Sequence, residues 1–134
     1  MIQEIHNDLV WPTVLPSTNI VADGTTVGPL VLDREQTENY AVEVGVQSGT
    51  VTDGTFTLLL EDSDDGLAYA TVDADFLVGD LPVFTAGEND TNKSVGYVGH
   101  GRFLRASLVA TGVTTGGTLG ITALLLSHRH QPVA

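Results

Sequence analysis

A chain of 134 residues is the size of one domain, and at 42% hydrophobic and 16% charged it is too apolar to stay disordered. The absence of cysteine excludes disulfides and thiolate metal sites, and no run approaches the ~18–20 apolar residues of a membrane-spanning helix. A net charge of −12 argues against nucleic acid as the principal partner.

The charge is unevenly distributed. All 17 acidic residues lie between Glu4 and Asp90, while Lys93, Arg102, Arg105 and Arg129 follow with His100, His128 and His130. Forty-odd residues are marginal as a separate domain, so one fold is expected to use both parts. It would then carry either an acidic and a neutral-to-basic side or, if strands interleave, no such division. The first residues lack a basic stretch followed by an apolar one, which predicts synthesis and use in a cytoplasm.

In chain order, residues 1–26 read as an extended arm. Leu9, Val10, Trp11, Val14, Leu15 and Ile20 are apolar, but Pro12 and Pro16 lie four apart and fit neither a helix interior nor a central strand. Such an arm either folds back on its own domain, with an edge strand at its end, or anchors to another subunit through the only Trp. Residues 27–134 read as one sandwich. Val27–Asp33 is a short strand holding Gly28-Pro29, and Tyr40–Gln47 alternates with Val42, Val44 and Val46 on one side.

Asp53-Gly54 is a turn feeding the steepest change of character in the chain. Phe56, Leu58 and Leu60 share one face of the following strand, which ends in Glu61, Asp62, Asp64 and Asp65. Asp65-Gly66 turns the chain back into Leu67–Val72. Asp73 caps a helical turn, or Phe76 and Leu77 are buried in a loop there. Strands follow at Leu81–Thr85, Ser94–Gly99 and Arg102–Thr111. A flexible hairpin at Gly112–Gly117 then leads to Thr118–His128, whose nearly continuous apolar run suits cover on both faces or a partner. About eight strands without a helical period give an all-β fold: an antiparallel, jelly-roll-like β-sandwich with an extended N-terminal arm.

Candidate chemistry is sparse. Glu61, Asp62, Asp64 and Asp65 offer hard-cation ligands, yet an EF-hand register beginning at Asp62 puts Gly66 on a ligand position, and one beginning at Glu61 ends on Val72. The stronger reading is a solvated acidic turn, and no metal or other cofactor is expected. His128 and His130 share a strand face, but two ligands do not make a site. In Arg102–Thr111, Phe103, Arg105, Ser107 and Val109 share a face opposite Leu104, Ala106, Leu108 and Ala110. Arg105, read as on the inward-looking face, needs a carboxylate from the acidic part or from another chain if buried. With no cysteine, no Gly-x-Ser-x-Gly and no phosphate-binding glycine loop, no enzyme is expected.

Thr52-Asp53-Gly54-Thr55, Glu61-Asp62-Ser63-Asp64-Asp65-Gly66, Val95-Gly96-Tyr97-Val98-Gly99, Arg102-Phe103-Leu104-Arg105 and Thr111–Gly117 together resemble small β-sandwich proteins encoded among the head genes of tailed bacteriophages. The resemblance spans roughly residues 40 to 130 and leaves out the arm. Some such proteins are head decoration or cement proteins. The resemblance implies a virion protein on the capsid exterior, made in the host cytoplasm, with the major capsid protein as partner and a dimer or trimer as its own state. On that reading Leu9, Val10, Trp11, Val14, Leu15 and Ile20 of the arm and a basic face of Arg102, Arg105 and Arg129 make the contacts. Neither nucleic acid nor membrane is a partner. Two other classes stay open. One is a carbohydrate-binding jelly roll of a phage tail or adhesin, with Trp11 or Tyr97 stacking on a sugar ring. The other is a head–tail connector or tail-tube component.

Overall fold

The computed structural model describes residues 13–33, 42–99 and 101–125. Eleven strands are formed among them: β1 Thr13–Ile20, β2 Gly24–Val27, β3 Leu32–Asp33, β4 Val42–Val51, β5 Thr55–Ser63, β6 Ala70–Thr71, β7 Leu77–Val78, β8 Val83–Phe84, β9 Asn92–Tyr97, β10 Phe103–Thr111 and β11 Gly117–Leu125. A single 3-10 turn, Ala74–Phe76, is capped by Asp73, whose carboxylate accepts the Asp75 N–H.

The strands make two antiparallel sheets, β1-β11-β4-β9-β7 (sheet I) and β2-β10-β5-β6 (sheet II). In sheet II, β3 also pairs with β10, and β8 with β5. Since β10 lines one side of β5 throughout, β6 and β8 share the other, and β2 and β3 likewise share the far side of β10. Five columns, β1, β11, β4, β9 and the two-residue β7, therefore make up sheet I, and four, β2/β3, β10, β5 and β6/β8, make up sheet II. Except at β2–β3 and β5–β6, consecutive strands lie in opposite sheets, and the order β1-β11-β4-β9 against β2-β10-β5-β6 is the jelly-roll winding.

Alternation in the strands builds the core. Phe56, Leu58 and Leu60 of β5 and Leu104, Ala106, Leu108 and Ala110 of β10 point inward, against Val42, Val44 and Val46 of β4, Val95 and Tyr97 of β9, and Leu119, Ile121 and Ala123 of β11. Each large side chain so buried contributes about 1.5–3 kcal/mol. Alanines among the leucines of β10 leave room for the larger side chains of the facing sheet.

Residues 13–20 of the arm fold back on their own domain as the edge strand β1, the first of the two alternatives expected for the arm, and residues 24–27 supply β2. Pro16 is accommodated because β1 is an edge strand of sheet I and its register shifts on either side of Leu15 and before Thr18. The same irregularity lets neighbours Val14 and Leu15 both be buried, at 1% and 5% exposed. Several expectations change. Val27–Asp33 is not one strand: Gly28-Pro29 separates β2 from β3. Gly112–Gly117 makes no hairpin, for β10 and β11 lie in different sheets. The return after Gly66 pairs only at Ala70 and Thr71, opposite Asp62 and Glu61. Phe76 remains 39% exposed, and the Asp73 cap forms instead of a buried loop. Thr122 and Leu124 of β11 are half-buried while Ile121 and Ala123 are fully so, and the described part of that strand alternates like its neighbours.

The two parts of the chain interleave. Central strands β10 and β11, from the carboxylate-free part, are flanked by β5 and β4 from the acidic part. No separate basic side arises among the described residues.

Candidate interaction surfaces

The ends of the sandwich are closed by carboxylates bound to backbone. At one end, the chain crosses between sheets at Thr52–Gly54 and again at 112–116. Asp53 Oδ1 accepts the N–H groups of Thr114, Thr115 and Gly116 at 3.0, 3.0 and 2.8 Å, tying one crossing to the other. Asp23 accepts the Val113 N–H at 2.7 Å. Residues 85–91 are fastened beside them: Asn89 Oδ1 accepts from Val51 N–H at 2.7 Å, and Ser48 Oγ donates to the Glu88 carbonyl at 2.7 Å. Glu88 also binds Lys93 at 2.7 Å.

These contacts have electrostatic signatures. The backbone donors Thr114, Thr115 and Gly116 hold the Asp53 carboxyl below the ordinary carboxylate value. The Lys93 ammonium, then the Thr85 N–H, does the same for Glu88. A carboxylate whose folded-state pKa is lowered lends stability that is full above its unfolded value and is lost as pH falls through the folded one. Wild type is therefore expected to have a higher urea midpoint than Asp53→Ala near neutral pH. That gap should close as pH drops below about 4, which a series of urea melts at stepped pH measures.

The acidic stretch lies at the opposite end, and its four carboxylates are drawn apart. Successive strand residues face opposite sides. Glu61 faces outward from sheet II and binds Arg105, its direct cross-strand neighbour, with Nε and Nη2 both donating to Oε1 at 3.0 and 2.7 Å. Asp62 faces inward and accepts the Tyr97 hydroxyl at 2.7 Å across the sandwich; that hydroxyl in turn accepts the Gly101 N–H at 3.0 Å. Asp65 accepts the N–H groups of Leu67 and Ala68 at 2.8 and 3.1 Å and the Ser63 hydroxyl at 2.9 Å, contacts that lower its pKa in that order. Asp64 is exposed. Among the described residues no group of three or more His, Cys, Asp or Glu side chains converges as a metal site would need.

Arg105 thus finds its partner in the acidic part of the chain, and the Tyr69 ring stacks 4.1 Å from its guanidinium carbon. Its side chain is 30% exposed and that of Glu61 19%. Such a half-solvated pair stabilises modestly. Arg105→Met and Glu61→Gln are each expected to cost about 1 kcal/mol, with a coupling of about 0.5–1 kcal/mol in a double-mutant cycle of urea melts. Arg102 sits 4.7 Å over the Phe103 ring.

Of the other expected contact residues, Val14, Leu15 and Ile20 are enclosed by their own sandwich, and their apolar contacts are intramolecular. Leu9, Val10, Trp11, Arg129 and the histidines lie outside the described residues. Tyr97 is fully buried and engaged with Asp62, so it presents no ring to a sugar.

The outward faces of the two sheets differ. Over sheet I, Gly45, Gln47, Asn92, Ser94 and Thr122 line a groove of about 340 Å³, and Gln47 donates to the Thr122 hydroxyl at 3.0 Å. A second hollow of about 410 Å³ adjoins it over Thr13, Pro16, Ser17 and Gly120. Over sheet II, Val27 lies beside Ser107 and Leu59, and Thr25 beside Val109, Thr57 and Val83. The sequence placed Ser107 and Val109 on one strand face. Which neighbours surround them depends on strand order, which local alternation does not encode. No protein-family model matches the chain, and no curated protein does.

Proposed function

We propose that this chain is a phage virion structural protein, a decoration or cement protein that binds the outside of a head and stabilises contacts between capsomers. Its partner on this reading is the major capsid protein, and its place the capsid exterior. The observation that carries the reading is the pinned jelly roll itself: Asp53, Asp23, Glu88, Asp62 and Asp65 are all spent on holding loops and sheets together. That makes a rigid spacer and assembles no acid–base pair around a reactive group. The resemblance of residues 40 to 130 to phage head proteins supplies the partner.

The fold narrows the means of attachment. With Val14, Leu15 and Ile20 used internally, the apolar anchor falls to Leu9, Val10 and Trp11 ahead of β1. Arg105 is already bonded to Glu61, which removes it from the assigned basic face. The test is co-sedimentation with empty heads of the cognate major capsid protein, for the full chain and for a chain lacking residues 1–12. Deletion should stop at residue 12, because removing 13–20 deletes β1. The full chain is expected to pellet with heads, and the shortened one to stay in solution with an unchanged circular dichroism spectrum. Equal binding by both sinks the arm assignment; no binding by the full chain sinks the capsid reading.

A carbohydrate-binding reading is favoured by one observation, the amide- and hydroxyl-lined groove over sheet I. Saturable binding of a soluble glycan, abolished by Gln47→Ala, would bring it forward.

A further inference from the structure

We propose that the outward face of sheet II is the contact through which two copies of this chain associate, back to back, about a two-fold axis. Three adjacent rows make up the face: Thr25, Val109, Thr57 and Val83; Val27, Ser107 and Leu59; and Arg105, Glu61 and Thr71. Val27 is 48% exposed and Val83 39%, while Leu59 and Val109 are half-covered. Apolar side chains so placed on a broad sheet are an interaction surface rather than scattered exposure.

Charge identifies the occupant as a second copy. The chain carries −12, so two copies repel wherever they present loops bearing Asp23, Asp64, Asp73, Asp75, Asp80 or Asp90. The described side chains of the three rows hold one cation and one anion, Arg105 and Glu61, already bonded to each other. This face is neutral on an otherwise acidic molecule, and two such faces can meet without opposed like charges. An acidic chain whose partner was a basic protein would instead be expected to dock through its carboxylates.

Size sets the strength. Four strand columns and the stretch Arg105–Val109 of β10 give the three rows an extent of roughly 19 by 17 Å, below the size of standard specific interfaces. The dimer should therefore dissociate on dilution.

The inference does not rest on the capsid reading, and the full chain tests it. Light scattering across a dilution series should show a mass approaching twice 14.1 kDa that falls toward one chain on dilution. Val27→Glu, at an exposed edge position, should hold the protein monomeric with an unchanged melting temperature. Because the chain has no cysteine, Thr57→Cys near the centre of the face should form a disulfide-linked dimer on mild oxidation, and Asn92→Cys on the outward side of sheet I should not. This second readout decides the matter even if Val27→Glu unfolds. A single-chain mass at every concentration overturns the proposal. So does a dimer that cross-links through Asn92→Cys, or one that becomes monomeric only when residues 1–12 are removed.

Discussion

Gly116→Ala is expected to destabilise the sandwich by at least ~3 kcal/mol, seen as a large fall in urea midpoint with an unchanged slope. Two independent costs meet at this residue. Its φ of +99° lies in a region that L side chains rarely adopt, and a Cβ added there would collide with the Ile20 carbonyl oxygen. The obstacle is backbone, so no side-chain rotation relieves it. Gly116 also joins three elements: its N–H donates to Asp53, its carbonyl accepts the Thr52 N–H at 2.9 Å, and it stands between β10 and the start of β11. Moving it to admit a methyl group would strain the link between both crossings and the end of β1. Gly112→Ala in the same loop is the control. Its φ is +66° but nothing lies within 4 Å, so only the conformational cost applies, about 1–2 kcal/mol. Equal losses for the two variants would refute the steric part of the argument.

At the other end of the sandwich, Tyr97→Ala is expected to cost about 3–5 kcal/mol and Tyr97→Phe about 1–3 kcal/mol, by the same melts. The ring is wholly enclosed, and its hydroxyl donates to Asp62 Oδ2 across the sandwich. Phenylalanine keeps the packing but leaves an inward-facing carboxylate without its donor and the Gly101 N–H without its acceptor. Alanine loses the packing as well. The loop from β9 to β10 makes the site intolerant of change. A Cβ on Gly99 would lie 2.6 Å from the Tyr97 hydroxyl, and one on Gly101 would lie 2.7 Å from Asp62 Cβ. Asp62→Asn in the Tyr97→Phe background separates the effects: if the unpaired charge is what costs, the double variant recovers stability.

Much of the fold is legible in the sequence because each strand has one buried face. The alternations at Val42, Val44 and Val46 and at Phe56, Leu58 and Leu60 mark core positions correctly. They do so because a pleated strand with one side in the core must alternate. In the strand after Arg102, by contrast, the face of Phe103, Arg105, Ser107 and Val109 reads as the inward one, and the structure instead buries Leu104, Ala106, Leu108 and Ala110. What escapes is whatever depends on non-local pairing. Pro16 reads as a break because a proline disfavours a regular strand, but not an irregular edge. Glycine-rich 112–117 reads as a hairpin because its composition suits a turn, while its role is to carry the chain from one layer to the other. The acidic stretch reads as one cluster because its carboxylates are adjacent in sequence. The pleat, a cross-strand arginine and a tyrosine from the opposite sheet send them in different directions. The need of Arg105 for a carboxylate is visible in the sequence; that Glu61 stands opposite follows only from the β5–β10 register.

The pairing of β1 with β11 has a kinetic consequence. Thr13 meets Thr122 and Ile20 meets Gly117, so strands about a hundred residues apart in sequence are hydrogen-bonded neighbours. β11 also bridges β1 to β4, and sheet I has no continuous path between those strands without it. During synthesis β1 emerges well before β11 and has no place to dock until β11 has left the ribosome. Closure of the sandwich is therefore a late and cooperative event. High contact order of this kind places refolding in the millisecond-to-second range rather than microseconds, and leaves the apolar inner face of β1 in need of protection until β11 is made.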